Sequence, residues 1–232
     1  MATPLDLRNR RREAQRAVRL AVNAVNAALD EWADAVGDGR RAATELTNAA
    51  LTQLHLPALP LGLLGDAPGL RPAAAAKLRA QQDASLAALA ACLQRLHGAV
   101  AGLAEATASL QHLLDAEAVA PLLGEGAVFG ALPLRLLGAM LAEVHTQHRS
   151  ELAVKAGVVE GCQQIVGDLR AADRPDSGGT TSGGTGRQAA AAEERLRWRM
   201  QVLLTAWMLS AEVDERLVEA HLAVIAADMK GF

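Results

Sequence analysis

The chain has 232 residues, enough to bury a sizeable core, and 51% of them are apolar although only 2% are aromatic. Alanine and leucine supply the apolar content, which favours helices and disfavours a sheet of β-branched and aromatic side chains. A net charge of −3 excludes a chain that binds polyanions with its whole surface. The two cysteines lack a CxxC spacing, so neither a disulfide framework nor a zinc site is predicted.

The segment 1–54 is predicted to contain N-terminal helices with a basic start. Residues 5–36 form the first helix, and Gly37-Asp38-Gly39 predicts a break before a second helix over 40–54. The arginines near the start are a candidate import signal, a phosphate contact or a solvated helix start. The candidate import signal comprises Arg8, Arg10, Arg11 and Arg12.

A long helical hairpin is predicted over 72–170, after a Pro/Gly connector at 55–71. In its first arm, apolar residues recur at alternating steps of three and four, interrupted only at Thr107, which is typical of a helix packing along another helix. At ~1.5 Å per residue this arm is about 65 Å long, which favours an antiparallel partner. The helix-packing seam of this arm comprises Leu86, Leu89, Leu93, Leu96, Val100, Leu103, Leu110 and Leu114.

The second arm of the hairpin is predicted to follow a turn region at 118–132, which is rich in proline and glycine. Pro133 opens this arm, and Leu137, Leu141 and Val144 continue the seam. The predicted fold is therefore all-α, with a long antiparallel coiled-coil hairpin and shorter flanking helices. The sequence leaves open whether the seams pair within one chain or between two.

The C-terminal part is predicted as a flexible Gly/Ser/Thr linker over 171–188 and two helices over 189–232. Ser210 is the predicted N-cap of the last helix. The longest apolar stretch that we identified, 54–64, contains Pro57 and Pro60, so no membrane span is predicted. A signal peptide is not apparent, and the expected location is nuclear, cytoplasmic or both.

Catalytic and metal-binding arrangements are not predicted. Di-iron bundles place a Glu three residues before each ligating His. Here the residue three before His145 is Ala142, and the residue three before His148 is His145, so the required Glu is absent from both positions. Cys162 lies on an apolar stripe and is predicted to be a buried thiol. We expect no enzyme activity, no cofactor and no specific nucleic-acid or membrane binding.

Scattered motifs resemble the cyclin-dependent kinase 2-interacting proteins, which are small, helical, predominantly coiled-coil proteins of eukaryotes. The chain departs from them where Leu132 replaces a Trp, where the Pro-Tyr after the last Trp is absent, and where 173–188 is inserted. The matching residues are Trp32, Gly39, Ala43, Asn48, Phe129, Pro133, Met140-Leu141, Glu151-Leu152, Lys155, Trp207-Met208 and Val213–Leu217.

The resemblance implies a non-enzymatic adaptor subunit of a nuclear AAA ATPase assembly acting in DNA replication, genome maintenance and ribosome maturation. It implies AAA ATPase subunits and cell-cycle kinases as partners, in a hetero-oligomer, with a homodimer still open. Trp207, Arg216 and Leu217 are the expected partner contacts, although Trp207 could equally anchor the core. The alternative function is a structural coiled-coil subunit of a tethering, kinetochore, microtubule or ciliary complex.

Overall fold

The computed structural model describes residues 4–60, 62, 67–115, 126–172 and 186–232. Nearly all of them lie in five α-helices, and these ranges contain no strand, which confirms the all-α class. The helices are α1 (Pro4–His55, followed by a 3₁₀ turn at Leu56–Ala58), α2 (Leu70–Asp115), α3 (Leu134–Ala172), α4 (Gly186–Met208) and α5 (Glu215–Met229).

The predicted break at Gly37-Asp38-Gly39 is wrong, because α1 continues through it without interruption. Glycine destabilises a helix by about 1 kcal/mol relative to alanine. Packing of the helix against its neighbours can outweigh this cost. Gly39 lies on the buried face of α1, so it serves close packing rather than a turn.

The buried face of α1 follows alternating steps of three and four residues from Ala14 to Gln53. This is the spacing of helices that pack side by side over many turns. Alanine supplies six of its twelve positions, more than any other residue type. The α1 seam comprises Ala14, Val18, Ala21, Val25, Ala28, Trp32, Ala35, Gly39, Ala42, Leu46, Ala49 and Gln53.

The seam of α2 has the same spacing but differs in part from the predicted one. Four of the eight predicted positions are fully buried, whereas Leu86, Leu93 and Leu114 are only half-buried and flank the contact. Smaller residues such as Cys92 and Ala99, one position before the predicted Leu93 and Val100, lie in the contact instead. The α2 seam comprises Gln82, Ser85, Leu89, Cys92, Leu96, Ala99, Leu103, Ala106 and Leu110, with Val100 buried beside it.

The seam of α3 includes the predicted Leu137, Leu141 and Val144, all of which are buried. Its middle part carries polar side chains at buried positions, which the apolar pattern did not predict. The α3 seam comprises Leu134, Leu137, Leu141, Val144, His148, Glu151, Lys155, Val158, Cys162 and Ile165.

Contacts divide the chain into two compact units. The first consists of Met1–Asp34, Arg95–Ala153 and Ser210–Phe232, and the second of Ala35–Gln94 and Val154–Leu209. In the first unit, residues of α1, α2, α3 and α5 form one apolar core. The predicted hairpin of two antiparallel helices is therefore not confirmed, since the seams of α2 and α3 share this core with two further helices.

The last helix begins later than predicted. Asp214, not Ser210, is the N-cap of α5, and its side chain accepts a hydrogen bond from the Leu217 N–H. A carboxylate at this position also interacts favourably with the positive end of the helix dipole. Most of the predicted turn at 118–132 and of the predicted linker at 171–188 lies outside the described residues.

Helix α2 is long and apolar enough to cross a membrane by length and composition, with a hydropathy of 1.4 over its best window. The core helix of a soluble protein passes the same test. Leu89, Leu96, Leu103 and Leu110 of α2 are fully buried inside the protein, and 33% of that window is buried. Length and composition therefore do not place α2 in a membrane.

Replacing Leu103 by aspartate should unfold the first unit. Leu103 is fully buried in its core, and an unpaired carboxylate there costs more than the ~3–5 kcal/mol lost when a core leucine is truncated. Circular dichroism should show lower helicity and a lower melting temperature, and Leu96→Asp should behave alike. Leu136→Asp, at an exposed position of α3, is the control. Equal melting temperatures of all three variants would contradict the assignment of the seam.

Candidate functional site

The three residues expected to contact a partner lie in different surroundings. Arg216 is exposed and Leu217 is half-buried, both in the first unit. Trp207 belongs to the second unit, and its side chain is 0% exposed. The structure therefore places Trp207 in the core, one of the two roles that the sequence left open. Its side chain offers no surface to a partner, which corrects the expected contact set.

Trp207 packs against the backbone of α1 at Gly39. A Cβ atom added to Gly39 would lie 2.0 Å from a carbon of the indole ring, so only glycine leaves room for the ring there. The indole Nε1–H donates a hydrogen bond to the Val36 carbonyl at 3.0 Å. Aromatic area and a satisfied N–H together fix the position of α4 on α1 within the second unit.

Lys155 is the most unusual buried group of the second unit, because its side chain is fully buried. Its Nζ donates to the carbonyls of Ala206, Trp207 and Leu209 at 3.0, 2.7 and 2.6 Å. An ammonium has three N–H donors, and these carbonyls lie at the C-terminal end of α4, where the helix dipole is negative. Lys155 therefore acts as a C-terminal cap supplied by another helix.

The start of α5 is held by side chains of α3 in the first unit. Glu151 Oε2 accepts the Glu212 N–H at 2.9 Å, and Gln147 Oε1 accepts the Asp214 N–H at 2.9 Å. Asp214 in turn accepts the Leu217 N–H at 3.1 Å. Backbone N–H groups at a helix start have no partners within the helix, so these three bonds make the segment 212–217 rigid.

Segment 128–132, which contains Phe129 of the family resemblance, is anchored on α1. Arg11 donates from Nε to the Val128 carbonyl at 2.9 Å and from its guanidinium to the Phe129 carbonyl at 2.6 Å. Gln15 donates to the Val128 carbonyl as well, also at 2.9 Å. Phe129 is buried, and the Arg19 guanidinium lies 5.1 Å from the centre of its ring.

The other side of this segment is held by Asp228, in the last turn of α5. Its Oδ1 accepts the N–H groups of Ala131 and Leu132 at 2.6 and 3.2 Å. Gly130 lies so close that an added Cβ would be 3.0 Å from the same oxygen. Segment 128–132 is therefore a structural junction between α1 and α5 in the first unit.

The candidate import signal does not present its four arginines alike. Arg8 and Arg12 are exposed and Arg10 is half-buried. Arg11 is bound to the backbone carbonyls described above. Only part of the predicted cluster is therefore available to a receptor or a phosphate.

His148 is a buried polar residue of the α3 seam and contacts Trp32 edge to face, with ring centroids 5.0 Å apart. Its Nδ1 lies 2.8 Å from the Val144 carbonyl, which can only accept, so Nδ1 carries the proton. Burial holds the pKa of His148 below its usual value, and nearby Glu151 and the bond to Val144 oppose this only in part. His148 is therefore neutral in the folded protein at neutral pH.

Both cysteines are buried, and burial raises the pKa of Cys162 to about 11, so its thiol is a poor nucleophile. Within the described ranges, no group of three or more His, Cys, Asp or Glu side chains is close enough to hold a metal ion. The polar groups in the buried seams instead bind backbone or one another, as Gln82 does in donating to Gln53 Oε1 at 2.7 Å.

Comparison of the chain with models of protein families, with curated proteins and with solved structures found no match.

The sequence did not predict the roles of three residues that organise these contacts. Gly39 was predicted to lie in a turn, although Trp32, Ala35 and Gly39 follow one another at steps of three and four. That spacing is visible in the sequence and indicates a continuous helix. Gln147 and Asp228 bind backbone groups distant in the chain, and no local pattern marks such partners.

Replacing Gly39 by alanine should destabilise the protein by about 3 kcal/mol, because the new methyl group overlaps the Trp207 ring. Gly37→Ala is the matched control. Its added Cβ meets nothing within 4 Å, so it should stabilise α1 by up to about 1 kcal/mol. Chemical denaturation measures both, and a smaller loss for Gly39→Ala in a Trp207→Leu background would tie the loss to the ring.

Folding stability should fall as the pH drops below about 6.5. The pKa of His148 is lowered in the folded state, and that of His145 is lowered by burial and by Arg149, so the unfolded chain takes up protons first. This stability is complete above the unfolded pKa and is lost as the pH falls through the folded one, by up to about 1.4 kcal/mol per pH unit for the buried His148. Denaturation at several pH values should show a weaker pH dependence in His148→Gln than in the parent, and identical profiles of the two proteins would refute the assignment.

Proposed function

We propose that the chain is a non-enzymatic adaptor subunit that presents the start of α5, residues 212–217, to a protein partner. The observation that carries this proposal is the fixation of an exposed helix start by three hydrogen bonds, accepted by the buried Glu151, the half-buried Gln147 and the N-cap Asp214. A surface that is rigid before binding loses little conformational entropy on association. Arg216 projects into solvent from this rigid segment, and Leu217 is partly accessible beside it.

The partner that we propose is a nuclear AAA ATPase assembly acting in DNA replication, genome maintenance and ribosome maturation, with cell-cycle kinases as further partners. Support comes from the resemblance to cyclin-dependent kinase 2-interacting proteins. That resemblance is densest at 129–155 and 207–217. These stretches contain Asp214 and Glu151, which anchor the start of α5, and most of the 128–132 junction, which anchors its end. The resemblance alone supports the assembly and the nuclear location.

A structural subunit of a tethering, kinetochore, microtubule or ciliary complex is the second candidate. Helices α1, α2 and α3 have 52, 46 and 39 residues, well above the average length of helices in globular proteins. Long helices packed with heptad spacing are suited to separating or connecting other proteins.

Affinity purification of the tagged protein from its own cells, with partners identified by mass spectrometry, tests the proposal. The test variant is Arg216→Ala/Leu217→Ala. The chain offers a matched control in Arg135→Ala/Leu136→Ala, another Arg-Leu pair in the first turn of a helix of the same unit. Exposed and half-buried side chains in a first turn contribute little to stability, so both variants should melt close to the parent temperature.

We expect recovery of AAA ATPase subunits with the parent and the control, and at least a fivefold loss with the test variant. Equal recovery with both variants would exclude the start of α5 as the contact. Recovery of only cytoskeletal, kinetochore or tethering subunits would favour the structural alternative.

A further inference from the structure

The charges of the chain are divided unevenly. Residues 4–20 carry six arginines against Asp6 and Glu13, a net charge of +4, whereas the whole chain carries −3. The remaining residues therefore sum to −7, the difference between −3 and +4. Such a division produces a local positive field at the start of α1 on a protein that is acidic elsewhere.

Three of these arginines form a row on one face of α1. Arg8, Arg12 and Arg16 are spaced four residues apart and are all exposed. Two leucines extend the row, Leu5 being 65% exposed and Leu20 60% exposed. We call these five residues the basic ridge; it lies on the side of α1 opposite the buried Ala14 and Val18 and belongs entirely to the first unit.

The ridge is locally unfavourable for the isolated chain. Like charges four residues apart on a helix repel each other, and Arg12 has such a neighbour on either side. Exposed leucines at both ends add apolar surface that is left in contact with water. An acidic partner with apolar side chains would relieve both costs.

We propose that the basic ridge docks an acidic helical segment of a partner protein. Carboxylates at helical spacing can pair with the row Arg8, Arg12 and Arg16, because a guanidinium binds a carboxylate through two parallel hydrogen bonds. Apolar residues of the same segment cover Leu5 and Leu20. This surface is separate from the start of α5, so it gives the protein a second contact that does not depend on the first.

A nucleic acid fits the ridge less well. Its backbone is a long polyanion that would meet the acidic remainder of the chain, with a net charge of −7, beyond the ridge. Single strands are bound by aromatic side chains on which bases stack, and residues 4–20 contain no aromatic residue. Leu5 and Leu20 would gain little from phosphates.

A lipid surface also fits less well. Helices that lie in a membrane interface insert a broad apolar face, with basic residues along the opposite one. The broad apolar face of α1 is already buried, at Ala14, Val18, Ala21 and Val25. The ridge itself offers lipid only two leucines, one at each end.

The test measures binding of the full-length protein to four probes. Fluorescence anisotropy follows an 18-residue helical peptide with three glutamates spaced four apart and leucines at both ends, poly-L-glutamate, and an 18-base-pair DNA duplex. Co-sedimentation follows vesicles that contain phosphatidylserine. The ridge variant is Arg8→Gln/Arg12→Gln/Arg16→Gln, and the control is Arg40→Gln/Lys77→Gln/Arg135→Gln, which removes three exposed charges elsewhere.

We expect the ridge variant to bind the peptide and poly-L-glutamate at least tenfold more weakly than the parent, and the control to bind within twofold of it. Leu5→Ser/Leu20→Ser should weaken binding of the peptide about threefold but not of poly-L-glutamate. The ridge variant should melt no lower than the control, because a repulsive row has been removed.

Three outcomes would overturn the proposal: equal affinities of the ridge variant and the control, no measurable binding of either acidic polypeptide by the parent, or tighter binding of the duplex or the vesicles than of the peptide. None of them bears on the start of α5, because Arg216 and Leu217 are unchanged in every variant of this test.

Discussion

The rest of the structure depends on one constraint, the alternation of buried positions at steps of three and four along α1, α2 and α3. A helix that keeps this spacing over about eight or more turns presents a continuous face, and other helices can pack against that face. In α1 that face consists mainly of alanine and includes Gly39. Small side chains let neighbouring backbones approach closely, so that a large ring such as that of Trp207 can be accommodated only where a glycine stands.

Polar residues interrupt these apolar faces, and several of them bind groups on other helices. Lys155 caps the end of α4, Glu151 holds the backbone that leads into α5, and Gln82 pairs with Gln53. A buried polar group is tolerated when its hydrogen bonds are made, and it then disfavours every helix register in which they would be lost. Such groups therefore select one arrangement among the many that a face of alanine and leucine would otherwise allow.

The same contacts connect the scaffold to the proposed function. The groups that hold α5 at its start and at its end lie inside the first unit, and they leave Arg216 and the outer surface of the helix available. The N-terminal part of α1 is used in a comparable way, since Arg11 is bound to the junction at Val128 and Phe129 while Arg8, Arg12 and Arg16 face solvent. In both places one side of a short segment is fixed by the fold, and the other side is free to contact a partner.

The sequence by itself determined the helical class, the approximate bounds of α2 and α3 and half of the α2 seam, because Leu89, Leu96, Leu103 and Leu110 satisfy a periodic pattern that is local in the chain. Only the tertiary structure decided that alanines such as Ala99 and Ala106, rather than larger neighbours, lie at the centre of the contact. It also decided that Gly39 continues a helix and that Trp207 is buried. These outcomes depend on how closely the helices approach and on hydrogen-bond partners far away in the chain, and spacing along one helix contains neither.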